Sequence, residues 1–166
     1  MKNNQSERKK SSMPLRINRK SFLGVLSLIA QELIESVSTK FKLKKPKEEE
    51  VLLNVRLKAE LNNPNSVLSI IDNYAYKKTF LMNIGEEKGF LLENAINESK
   101  AKNILELGVY LGYSTIRILK NLDDNSKLTS IESNKKFAEI ASENINIAGL
   151  SNKHKLIIGK STEVIP

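Results

Sequence analysis

The chain has no cysteine. That excludes a disulfide framework, thiolate metal sites and a thiol nucleophile. It suits a reducing compartment, and a cytoplasmic location is the expectation. Aromatic residues make up only 5% of the chain. They are not interleaved with basic residues as a base-stacking surface requires, so no nucleic-acid partner is expected. No segment reaches the roughly 20 apolar residues of a membrane span. The best candidate, Phe22 to Ala30, is closed by Gln31-Glu32. A basic run precedes it, but no small-x-small cleavage site follows, which argues against a signal peptide.

What the chain has in excess is positive charge. The formal net charge is +8, with 12 Lys/Arg against 6 Asp/Glu in residues 1–50 and 15 against 13 in residues 51–166. The imbalance therefore lies mainly in the first third. Residues 1–20, polar and basic, read as a disordered tail. Residues 21–65 read as a helical N-terminal extension. Ser21 is its plausible N-cap, and Phe22, Val25, Leu26, Ile29, Leu33 and Val37 share one face at steps of three and four. That stripe suits packing on the domain, on a second copy, or weakly on a membrane surface; the spacing leaves these open, and the oligomeric state with them. Lys42 to Glu50, around Pro46, reads as a linker. A second helix is expected from about Glu49 to Leu61, stopped by Asn62-Asn63-Pro64-Asn65.

Residues 66–166 carry a different pattern. Ser66 to roughly Leu81 is helical, Met82-Asn83-Ile84-Gly85 is a loop, and Glu86 to Ser99 is helical with Leu91, Leu92, Ala95 and Ile96 inward. The period then shortens. Asn103 to Leu107, Lys127 to Ile131 and Lys155 to Gly159 are short, mostly apolar runs that suit parallel strands. Helices are expected between them, from Tyr113 to Asn121 and from Lys135 to Ala148, the second capped near Asn134 and ended by Gly149. The order β-α-β-α-β predicts an α/β fold, half of a doubly wound parallel sheet, preceded by N-terminal helices.

The first strand runs into Glu106-Leu107-Gly108-Val109-Tyr110-Leu111-Gly112-Tyr113-Ser114. A strand that turns sharply into a helix aims free backbone N–H groups at whatever lies above the sheet edge. Glycines at 108 and 112 form G-x-x-x-G rather than G-x-G-x-x-G, which argues against a dinucleotide. Glu106 lies two residues before the first glycine, where it could face a cationic group. Glu132 ends the second strand, where an acid accepts both hydroxyls of a ribose. Two carboxylates and no phosphate cradle suit a positively charged sulfonium nucleoside.

These residues resemble a known family. Met82 to Gly89, Ile104 to Ser114, Thr129-Ser130-Ile131-Glu132, Ala148-Gly149-Leu150 and Ile158-Gly159-Lys160-Ser161 are together similar to the catechol O-methyltransferases, class I S-adenosylmethionine-dependent O-methyltransferases of Rossmann-like fold. The resemblance runs from about Met82 to Pro166. It implies S-adenosyl-L-methionine as cofactor and a small-molecule methyl acceptor. It implies that Met82, Asn83 and Ile84 form a loop over the methionine end, and that Glu106 holds the amino group. Gly108 and Tyr110 would line the pocket, and Tyr113 and Ser114 would meet the carboxylate end. Glu132 would bind the ribose, flanked by Ile131 and Ser133. Ser161 and Thr162 would lie beside the adenine, with Thr162 where the family carries Gln. Lys88 also matches a family position, but a helix-start lysine is assigned no catalytic role.

The family's reaction is methyl transfer to a catechol-type hydroxyl, with Mg²⁺ lowering the hydroxyl pKa and a lysine as base. Its metal ligands and lysine follow a fourth strand, and the sequence stops before one. The expectation is therefore a cofactor-binding part, a partial domain of three strands from residues 66–166. No catalytic or metal residues are assigned, and the parent would be about 100 residues longer. Such a chain is expected to be marginally stable and inactive alone. A non-catalytic Rossmann-like scaffold and a nucleotide-dependent oxidoreductase are the alternative readings.

Overall fold

A computed structural model describes residues 45–165, together with 26, 29, 30, 32–34 and 36. The expectations for residues 1–20, Ser21, Phe22, Val25 and Val37 lie outside the described residues. Those described between 26 and 36 are helical, and Leu26, Ile29, Leu33 and Ile34 are exposed there. No helix among the described residues is long and apolar enough to cross a membrane.

The elements are α1 (Lys47–Lys58), α2 (Pro64–Lys77), α3 (Gly85–Ser99), β1 (Asn103–Leu107), α4 (Tyr113–Leu119), β2 (Lys127–Glu132), α5 (Lys135–Ile147), a 3-10 turn (Ser151–Lys153), β3 (His154–Ile158) and α6 (Ser161–Val164). The three strands are parallel in the order β1-β2-β3, with Glu106 opposite Ser130 and Ser130 opposite Leu156. This is the Rossmann-like half-sheet that the alternation of strands and helices predicts.

The ends of α5 follow the local chemistry of the sequence. The Asn134 side chain accepts from the N–H groups of Lys136 and Phe137 at 3.0 and 3.3 Å. Gly149, at φ 77°, turns the chain out after it. Along its inner face Ala138, Ala141 and Ile145 are buried. One continuous core joins this helix to Leu128 of β2, Ile116 of α4 and Ile71 of α2.

Several boundaries differ from the expectation, each for a physical reason. Lys47 to Glu50 is helix rather than linker, because Glu48, Glu49 and Glu50 suit the positive first turn behind Pro46. That helix ends at Lys58, before Leu61. Asn62 to Asn65 starts a helix as well as ending one. Asn63 accepts from the Ser66 N–H at 3.1 Å, and Pro64 occupies the first turn, where its missing N–H costs nothing. Leu81 is buried from a loop, because α2 closes at Lys77. In α3, Leu91 and Ala95 face solvent. Gly89 is the buried position, with Leu92 and Ile96 half-buried in line with it. The helix is rotated so that Gly89 meets Arg117 of α4, where a Cβ would fall 2.7 Å from the guanidinium carbon.

Helix α1 packs on α2 and α5, and Val51 and Val55 are fully buried in the same core as the sheet. The core therefore extends to both sides of position 65. On the opposite flank the outer edge of β1 carries no strand among the described residues. Leu105 and Leu107 there are 54% and 57% exposed, an aggregation hazard.

Replacing Val51 and Val55 together by Ala is expected to lower stability by about 2–5 kcal/mol within one cooperative denaturant transition. A second, unshifted transition would mark residues 45–65 as a separate unit. Leu105→Lys is expected to raise the concentration at which light scattering finds the 166-residue chain monodisperse, since it places a charge on the free edge.

Candidate functional site

The carboxyl end of β1 turns through Gly108, Tyr110 and Gly112, all with positive φ (82°, 52° and 83°). Gly108 donates its N–H to Ile131 O at 2.9 Å, and a Cβ placed on it would meet nothing within 4 Å. The glycine is required by its left-handed conformation, and the space in front of it is open to a ligand. Gly112 opens α4 without a side-chain cap. The first N–H groups of a helix have no acceptor within it.

Glu106 is buried at the end of β1. Its carboxylate accepts from Ser114 Oγ at 2.6 Å on Oε1, and from Thr115 Oγ1 and Ser130 Oγ, each at 2.8 Å, on Oε2. Burial pushes its pKa up; the three hydroxyls oppose this, and the charge of Glu132 adds to it. Two oxygens offer about four lone-pair directions. Three are filled by neutral donors, and the remaining one is on Oε1. None of these partners is a cation.

Glu132, also buried, is held the opposite way. Its Oε2 accepts the N–H groups of Val109 and Tyr110 at 2.9 and 3.1 Å, and its Oε1 accepts that of Asn134 at 2.8 Å. Burial works against the charge, but these backbone donors and that of Ser133 together hold the pKa below the usual carboxylate range. Glu132 thus clamps the glycine turn to the end of β2.

The other residues read from sequence gather around these two. Tyr110 packs edge-on against Phe137, with centroids 4.9 Å apart, and donates its hydroxyl to Glu48 at 2.8 Å. The Met82 backbone hydrogen-bonds the same hydroxyl, which brings the 82–84 loop to the turn. Met82 is exposed, Ile84 packs on the core, and the Asn83 side-chain nitrogen is buried with no partner among the described residues. Ile131 is buried in β2 and Ser133 is exposed beyond it. Ser161 and Thr162 open α6 just past β3, where Gly159 N–H bonds Glu132 O at 2.9 Å. Tyr113 is the first residue of α4, and its side chain is buried. Its hydroxyl accepts from Arg117 Nη2 at 2.8 Å and pairs with Asp72, and only its main chain faces the turn.

Sequence reading missed Thr115, Ser130, Glu48 and the group that braces Tyr113. Arg117 Nη1 bonds Glu93 at 2.5 Å, and Lys120 lies 3.0 Å from the same carboxylate. Ser130 carried a signal, a hydroxyl inside an apolar strand at the register position of Glu106. Glu48, 62 residues before Tyr110, carried none. Among the described residues no three His, Cys, Asp or Glu side chains converge to hold a metal. The described residues therefore do not form the centre that the implied Mg²⁺ would need.

Residues 60–166 match the family model described as O-methyltransferase. Catechol O-methyltransferase of Mus musculus is 37% identical over 120 residues, 72% of this chain and 45% of that protein. Catechol O-methyltransferase B of Danio rerio is 34% identical over 145 residues, 87% of this chain and 55% of its own. The chain spans about half the length of the curated relatives it matches. Among solved structures, the O-methyltransferase from Bacillus cereus in complex with SAH superposes with a TM-score of 0.51 at 22% identity, covering 80% of this chain and 52% of that one. The likeness to that structure is one of fold.

Glu132→Gln is expected to destabilise the chain by about 1–3 kcal/mol, because one clamped N–H loses its acceptor. A carboxylate held below its ordinary pKa contributes stability above that ordinary value and loses it as pH falls. Denaturant midpoints between about pH 3 and 7 should therefore drop on acidification less steeply in the variant.

Proposed function

The chain belongs to the O-methyltransferase family, and on that premise we propose that the strand-end site holds S-adenosyl-L-methionine for methyl transfer to an oxygen of a small-molecule acceptor. The observation that carries this reading is Glu106, a buried carboxylate with hydroxyl partners and one lone-pair direction left on Oε1. The ammonium of the methionine end supplies the missing positive charge. The free N–H groups at Tyr113 and Ser114 take the methionine carboxylate, and the 82–84 loop covers it.

The glycine turn at Gly108 and Tyr110 lets the sulfonium approach the main chain. Glu132 meets the ribose diol, whose hydroxyls share the carboxylate with the backbone donors that clamp it. Ile131 and Ser133 flank the nucleoside, and Ser161 and Thr162 line the adenine. This chain's residues thus bind and orient the donor. Similarity to the catechol O-methyltransferases supports a catechol-type acceptor, and any Mg²⁺ would draw its ligands from outside the described residues. A cytoplasmic location suits a chain without cysteine.

Calorimetric titration with S-adenosylhomocysteine tests the assignment. Glu106→Ala and Glu132→Ala are each expected to weaken binding by about 1–3 kcal/mol, the scale of a lost charge-assisted hydrogen bond. Unchanged affinity in both would remove the site. Tighter binding of NAD than of S-adenosylhomocysteine would favour an oxidoreductase.

A further inference from the structure

The sole histidine of the chain is joined to the site through a second strand. His154, the first residue of β3, places Nε2 2.9 Å from Ser130 Oγ, and Ser130 Oγ lies 2.8 Å from Glu106 Oε2. A side-chain path therefore runs across β3, β2 and β1 to the carboxylate that faces the ligand.

The protons on this path can be counted. A charged carboxylate only accepts, and a serine hydroxyl has one proton to give. Ser130 gives it to Glu106, so its oxygen must accept from the imidazole, and His154 must carry its proton on Nε2. With the proton on Nδ1, Nε2 would become an acceptor and would take the Ser130 proton. Glu106 Oε2 would then lose one of its two donors. Burial holds the ring neutral, with its pKa lowered to about 4, so at neutral pH the tautomer, not the charge, decides which arrangement holds.

We propose that His154 is a positioning residue for Glu106: its Nε2–H tautomer orients the Ser130 hydroxyl toward Oε2 and so leaves Oε1 as the face offered to the ligand's ammonium. This role rests on the reading of the site as an S-adenosylmethionine site. It predicts that His154 affects recognition of the amino-acid end of the ligand and not of its nucleoside.

The test uses the full 166-residue chain. With ¹⁵N-labelled histidine, long-range ¹H–¹⁵N correlation at neutral pH should show one imidazole with a protonated Nε2 and a bare Nδ1. In Ser130→Ala the two tautomers should mix. A bare Nε2 in the wild type overturns the proposal. Titrations then compare S-adenosylhomocysteine with 5′-methylthioadenosine, which lacks the amino-acid end. His154→Leu should bind the first about five- to tenfold more weakly, the scale of one hydrogen bond, and the second unchanged. His154→Gln, which can place an amide N–H near the Nε2 position, should restore the first. Equal weakening of both ligands, or none, overturns the proposal. A wild-type chain that binds neither ligand removes the functional reading, and this role with it.

Discussion

Burial of the Glu106 carboxylate sets the terms for the structure around it. An ionised group withdrawn from water must be met by donors, and the chain meets this one from two directions. Ser114 and Thr115 come from the first turn of α4, and Ser130 from the facing position of β2. The same three bonds thus fix where α4 begins and reinforce the β1–β2 register. A one-residue slip of that register would turn Ser130 to the other face of the sheet and leave Glu106 short of a donor.

Glu132 shows how the same residue type serves a different purpose a strand away. Backbone N–H groups, not hydroxyls, surround it, and its charge is favoured where that of Glu106 is opposed. One carboxylate holds the turn closed, and the other is held by three hydroxyls. Behind them, α4 is braced by Tyr113, Arg117, Glu93 and Asp72, and the turn is tied to α1 through Tyr110 and Glu48. Rigid support of this kind lets a short turn present its main chain in a fixed geometry.

The strands and the residues at their ends were legible because parallel strands are short apolar runs and because glycines at 108 and 112 can hardly be read otherwise. The strand-to-helix order predicted the sheet. Helix ends were less legible. Asn63 and Pro64 look like a terminator in sequence, and only the Ser66 N–H shows them to be a start. Amphipathic spacing misplaced Leu91 and Ala95 because the orientation of α3 is set by Arg117, 28 residues beyond Gly89 and on another element. Partners such as Glu48 and Asp72 were invisible for the same reason. Their chemistry is ordinary at the helix positions they occupy, and only the tertiary fold brings them to a tyrosine hydroxyl.

The contact between Gly89 and Arg117 has a consequence for how this sequence can change over time. Any side chain at 89 would collide with the arginine. Any shorter residue at 117 would leave Glu93 with Lys120 alone and Tyr113 without its donor. A side chain at 89 would therefore require the arginine to shift. Positions 89 and 117, 28 residues apart and on different helices, thus limit each other's choice of side chain.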